Sequence, residues 1–145
     1  MIRITENIWI GNSSTTWRAT RDAKIGAVLN VAQDLRGMMG WPDVEYMQVG
    51  LVDGPGNSTA SYCAAVLALS ALVDRHKRVM LCCHTCSRSI AVAMMYLSME
   101  SGQDWDELAA VLSERIDEDV PVPHGAHRTA FDNMDWRLLK SIQRL

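Results

Sequence analysis

Arg78-Val79-Met80-Leu81-Cys82 is a short apolar run of strand length, and Ser89 to Met99, a polar loop further on, is a helix-length stretch apolar nearly all round. A helix without a polar face must be enclosed on most sides. A buried strand feeding such a helix points to a central sheet with helices packed on it, an α/β fold. The remaining segments agree. Ile8-Trp9-Ile10 runs into the Gly11-Asn12 turn, and Ala27-Val28-Leu29-Asn30-Val31 is a second strand after Gly26. A helix-sized segment between them starts near Asn12 or Ser13, both good N-caps. Val44 to Val49 supplies a further strand, and Asp53-Gly54-Pro55-Gly56-Asn57 is a dense loop signal that nothing regular crosses.

Ser58 to Val73 is apolar on most faces and predicts a largely buried helix. Asp104 with Glu107 three residues later resembles a capping box, opening a helix whose Trp105, Leu108, Leu112 and Ile116 share one face. Pro121 and Pro123 end it. Phe131, Met134, Leu138 and Ile142 repeat at helical spacing towards the C-terminus. Neither repeat nor low-complexity linker occurs, so residues 1–145 are expected to form one domain with a mixed, mostly parallel sheet flanked by helices. At this length about 68–70% of the unfolded surface is buried without a disulfide or metal staple.

The chain carries 14 Lys+Arg against 17 Asp+Glu, a formal charge of -3, which offers no general attraction to nucleic acid or anionic membrane. The charge is unevenly placed. Residues 100–119 hold eight acids and one base, leaving 13 bases against 9 acids elsewhere, enough to draw an anionic substrate to one face. The opening MIRITENIWIGNSS lacks the apolar core of a secretory signal, and no stretch reaches the ~18 apolar residues of a membrane span. Cytoplasmic location is expected. In a reducing compartment the cluster Cys82, Cys83 and Cys86 points to catalysis, redox chemistry or metal rather than to structural disulfides.

Leu81-Cys82-Cys83-His84-Thr85-Cys86-Ser87-Arg88-Ser89 joins the end of the buried strand to the start of the buried helix. Loop amides and a helix N-terminus converge there, as a phosphate dianion requires. A cysteine at the strand end can attack phosphorus in line, and an arginine at the helix start can grip two equatorial oxygens. The spacing Cys82-x5-Arg88 is mechanistically coherent. Residues Cys83, His84, Thr85, Cys86, Ser87 and Arg88 form the expected phosphate loop.

With Ser87-Arg88-Ser89, and with the aspartate loop beginning at Asp53 one helix and one strand upstream, the chain resembles the cysteine-dependent protein tyrosine phosphatases, specifically the small dual-specificity type. Ile8-Trp9-Ile10-Gly11 and Ala27-Val28-Leu29-Asn30-Val31 are similar to that family's opening strands, and Pro123-His124-Gly125 to a late turn. The resemblance implies that Cys82 is the nucleophile, Arg88 the phosphate clamp, Asp53 the general acid and base, and Ser89 the hydroxyl that aids breakdown of a phosphocysteine. It implies no cofactor, and a phosphotyrosine, phosphoserine or phosphothreonine protein as substrate.

Two positions depart from the family pattern: Leu81 replaces the usual histidine and Thr85 the usual glycine. Lowering a thiol from ~8.5 to ~5.5 takes about 4 kcal/mol, within reach of two or three loop donors at ~1.5–3 kcal/mol each plus a helix N-terminus. Positive φ at Thr85 would cost about 1–2 kcal/mol.

Other readings compete. A weakened phosphate-binding module and a thiol redox or arsenate-reductase-type enzyme use the same residues. Cys86 is a better redox partner for Cys82 than adjacent Cys83. Cys83, His84 and Cys86 with His124 and His127 raise zinc, but the spacing fits no paired Cys-x2-Cys site. Cys63 reads as an inert buried thiol and the methionines as core filling.

Overall fold

The computed structural model describes residues 1–36, 41–115, 123 and 125–144. Its sheet has five strands: β1 (Ile2–Arg3), β2 (Ile8–Gly11), β3 (Ala27–Ala32), β4 (Glu45–Leu51) and β5 (Val79–Cys82), in the order β1-β2-β5-β3-β4. Only β1 runs antiparallel; β2, β5, β3 and β4 are mutually parallel where they pair, which makes the sheet mixed and mostly parallel as expected. β1 is too short to carry a sequence signal. The central strands are buried on both faces, which explains their continuous apolar runs in place of alternation.

Among the described residues six helices follow or separate these strands: α1 (Trp17–Asp22), α2 (Thr59–His76), α3 (Ser87–Ser101), α4 (Trp105–Ser113), α5 (Gly125–Asp132) and α6 (Trp136–Gln143). Helices α2 and α3 pack against each other and on β3 and β5. Ala91, Val92, Ala93, Met94 and Met95 of α3 are fully buried, the enclosure its composition demanded. Met80, Met99 and Met134 join them in the core.

Local chemistry sets the helix ends. Ser58 caps α2 by accepting from the Ser61 amide, and Asp104 caps α4 by accepting from the Glu107 amide at 2.9 Å. The helix expected from Asn12 or Ser13 begins instead at Trp17. Asn12 Oδ1 accepts from the Ser14 amide at 2.9 Å in a turn, and Thr16 takes the cap from Ala19. The C-terminal periodicity likewise does not mark one helix. Asp135 caps a new start through the Leu138 amide, so Leu139 enters the core and Leu138 stands 56% exposed. Ile116, Pro121, His124 and three of the eight acids of residues 100–119, Asp117, Glu118 and Asp119, lie outside the described residues.

Because the central strands are parallel and in register, Gly11, Cys82, Ala32 and Leu51 end at one edge of the sheet. The loops leaving that edge carry Asp34, Asp53 and residues 83–86. Sites in open α/β sheets form beyond the carboxyl ends of strands.

Candidate active site

Strand β5 lies between β2 and β3, and Cys82, its last residue, is in register with Gly11 on one side and Asn30 on the other. A Cβ on Gly11 would stand 2.5 Å from Met80 Sδ and 2.9 Å from Thr15 Oγ1, so any larger residue beside this strand forces those side chains to move. Cys83 is the first residue beyond the sheet. The loop then turns through Cys86, whose φ of +69° is left-handed, directly into α3. The cost weighed for positive φ at Thr85 does not arise there; the left-handed residue comes one position later, on a side chain without β-branching.

The thiols are not equivalent. Ser89 Oγ donates to Cys83 Sγ at 3.2 Å, whereas the resemblance assigned that hydroxyl to Cys82. Cys86 Sγ lies 3.9 Å from the Gly11 carbonyl, and none of the four cysteines is in a disulfide. Burial pushes the Cys82 thiol up to about 12, with Cys83 and Cys86 adding to the shift. This is opposite in direction to the lowering that loop donors were expected to produce at Cys82. Cys63 is half-buried in α2, less enclosed than its sequence context suggested, and burial raises it too.

Arg88 enters from the first turn of α3 and is 2% exposed. Its Nη1 donates to Asp34 Oδ1 at 2.7 Å and to the Leu51 carbonyl at 2.8 Å, fixing one edge of the guanidinium. Its Nε is buried with no hydrogen-bond partner. Leaving such a donor unpaired costs about 1–3 kcal/mol or more for a charged group, a cost that an arriving oxyanion removes. The Arg88 hydrogen bond holds the Asp34 carboxyl below its ordinary range, against a smaller desolvation effect. His84, 39% exposed at its side chain, stands 3.7 Å from the same carboxylate. Sequence reasoning missed Asp34, although it follows β3 at the sheet edge where ligand sites form.

Asp53 comes from the other side. Asn57 ties its loop shut, accepting from the Val52 amide at 2.8 Å and donating to the Val52 carbonyl at 2.7 Å. Gly54 and Gly56 take φ of +145° and +111°, closed to most side chains. Thr85 Oγ1 donates to Asp53 Oδ2 at 3.4 Å, so the aspartate does face the loop it was expected to serve. Its second oxygen meets His127 Nε2 at 3.4 Å, and His127 Nδ1 lies 2.6 Å from the Tyr62 hydroxyl. Asn57 Nδ2 donates to that hydroxyl at 3.2 Å. With Nε2–H donating to Asp53, Nδ1 accepts from Tyr62, and the chain Asn57, Tyr62, His127, Asp53 is continuous. Burial, joined by the Asp53 charge, raises the Tyr62 hydroxyl. His127, a zinc candidate in the sequence, is instead engaged with Tyr62 and Asp53, and no metal-binding group of three or more His, Cys, Asp or Glu occurs among the described residues.

No protein-family model matches the chain, and no curated protein matches it. Solved structures do. DUSP15 superposes with a TM-score of 0.80 at 14% identity, covering 98% of this chain and 91% of its own. Human DUSP28 gives 0.77 at 17% identity over 99% and 98%. P. aeruginosa TpbA, solved in complex with pTyr, gives 0.75 at 14% over 98% and 88%. The sheet order, the strand-to-helix loop that carries Arg88 and these superpositions together give the chain the fold of the small dual-specificity phosphatases.

Proposed function

We propose that the chain is a phosphomonoester hydrolase, a protein tyrosine or dual-specificity phosphatase that works through a phosphocysteine intermediate without metal. The observation that carries this reading is the Arg88 guanidinium: one edge anchored by Asp34 and Leu51, and a buried Nε left without a partner. Nε and the adjacent Nη form a fork that matches two phosphoryl oxygens. A thiol at the β5–α3 junction attacks phosphorus; the six-residue step to Arg88 designates Cys82, and the Ser89 hydroxyl designates Cys83. Asp53, facing Thr85 of the loop, protonates the departing oxygen and then takes a proton from the water that attacks the phosphocysteine. Loop amides 83–87 hold the spread charge of the transition state.

The substrate we assign is a phosphorylated protein carrying phosphotyrosine, phosphoserine or phosphothreonine. Support comes from the fold shared with TpbA, solved in complex with pTyr, and from the surplus of bases outside residues 100–119. Four cysteines outside any disulfide fit action in the reducing cytoplasm. Among the described residues no helix is long and apolar enough to cross a membrane.

Hydrolysis of p-nitrophenyl phosphate in excess EDTA tests the reading. Two charge-assisted hydrogen bonds of about 1.5–3 kcal/mol each make Arg88→Ala slower by about 10²–10⁴-fold. Asp53→Asn slows alkyl phosphates far more than this aryl ester, whose leaving group needs no proton. A wild-type rate equal to that of Arg88→Ala overturns the assignment. The raised Cys82 thiol favours one alternative, a phosphate-binding module without turnover. Tight vanadate binding with no hydrolysis identifies it.

A further inference from the structure

We propose that Cys83, not Cys82, is the thiol that attacks phosphorus, so that the working loop is Cys83-x4-Arg88, one residue shorter than the spacing in the sequence suggested. This rests on the hydrolase reading and names its nucleophile.

Three observations point to Cys83. Cys82 is inside the sheet, in register with Gly11 and Asn30 on its two sides, and Cys83 is the first residue of the loop. Ser89, adjacent in sequence to Arg88, directs its hydroxyl hydrogen at Cys83 Sγ at 3.2 Å. The left-handed turn sits at Cys86, three residues after Cys83, where the family pattern puts its glycine relative to the nucleophile. Each landmark of the loop therefore counts from Cys83. Side chains of adjacent residues leaving an extended strand point to opposite faces, so the thiol that meets Ser89 excludes its neighbour from the same place. Cys82 and Cys83 are both fully buried, and burial pushes the Cys82 thiol up.

In the reaction, the Cys83 thiolate contributes the electron pair of the new S–P bond as the ester P–O bond breaks, and the leaving oxygen takes the Asp53 proton. Water then forms a P–O bond as S–P breaks; the thiolate returns, inorganic phosphate leaves, and Asp53 regains its proton.

The test uses the full chain. Iodoacetate is applied at pH 6.5 with and without inorganic phosphate, and the tryptic peptide 79–88, which holds all three thiols, is sequenced by mass spectrometry. Cys83 is expected to be carboxymethylated at least about tenfold faster than Cys82, and phosphate to slow it. Faster modification at Cys82 overturns the proposal. In turnover, Cys83→Ser is expected to lose about a thousand-fold or more in kcat and Cys82→Ser no more than about tenfold, with Cys82→Ala as the second variant if serine disturbs the strand. The reverse ranking also overturns it. Wild-type protein that hydrolyses nothing yet shows phosphate-protected labelling at Cys83 refutes the hydrolase and leaves the thiol assignment standing.

Discussion

Asp34 fixes the anchored edge of Arg88, and its removal has a size that the structure sets. Asp34→Ala leaves Nη1 with the Leu51 carbonyl alone. A hydrogen bond between charged groups contributes about 1.5–3 kcal/mol, and truncating one partner of a fully buried pair costs about 3–5 kcal/mol. Here the guanidinium is 2% exposed but the carboxylate side chain is 64% exposed, so water reaches the space that Asp34 vacates. A loss of about 1–2 kcal/mol follows once that screening is allowed for. It appears as a Tm lower by about 3–8 °C and, because the clamp is misoriented, as kcat/KM for p-nitrophenyl phosphate lower by about 5–30-fold. Asp34→Asn keeps the acceptor without the charge and falls between wild type and alanine. The pH dependence has a definite sign. The folded-state carboxyl titrates below its unfolded value of about 3.9, so its stabilising contribution is complete above about pH 5 and is lost as pH falls through the lowered value. The Tm gap between wild type and Asp34→Ala is therefore constant across the neutral range and closes as pH falls through that lowered value. Equal Tm and equal kcat/KM at pH 7 would refute the reasoning.

Three further outcomes are expected. The folded Cys82 thiol, raised to about 12, stays protonated where the unfolded thiol ionises, so stability falls as pH rises above about 9, by up to about 4 kcal/mol at pH 12; alkaline melts of Cys82→Ala show a shallower decline. Tyr62→Phe removes the hydroxyl between Asn57 and His127, costs about 1–3 kcal/mol in urea unfolding and slows alkyl phosphate hydrolysis more than aryl, because Asp53 loses the histidine's support. Gly11→Ala drives a methyl to within 2.5 Å of Met80 Sδ and lowers stability by about 1–3 kcal/mol, a change read by thermal unfolding.

Much of this was readable from the chain because it is decided locally. The enclosed helix after Cys82, the Asp104 cap and the Asn57-closed loop depend on residues a few positions apart, and the structure contains each. What was missed depends on residues far apart in sequence. Asp34 meets Arg88 across 54 positions and His127 meets Asp53 across 74; nothing near either residue announces its partner. The break between α5 and α6 was hidden because Phe131 and Leu138 keep a helical period across a new start set by Asp135. The choice of nucleophile also draws on distant contacts: the spacing to Arg88 selects Cys82, whereas the sheet register and the Ser89 hydroxyl, which the sequence does not display, support the Cys83 assignment proposed above.

Acid-quenched rapid mixing with p-nitrophenyl phosphate in EDTA, read by intact mass, bears most directly on the central claim. One phosphoryl group per chain, bound through sulfur in the β5–α3 loop and absent from Arg88→Ala, is the predicted result; turnover with no covalent adduct, or an adduct that survives the loss of Arg88, contradicts it.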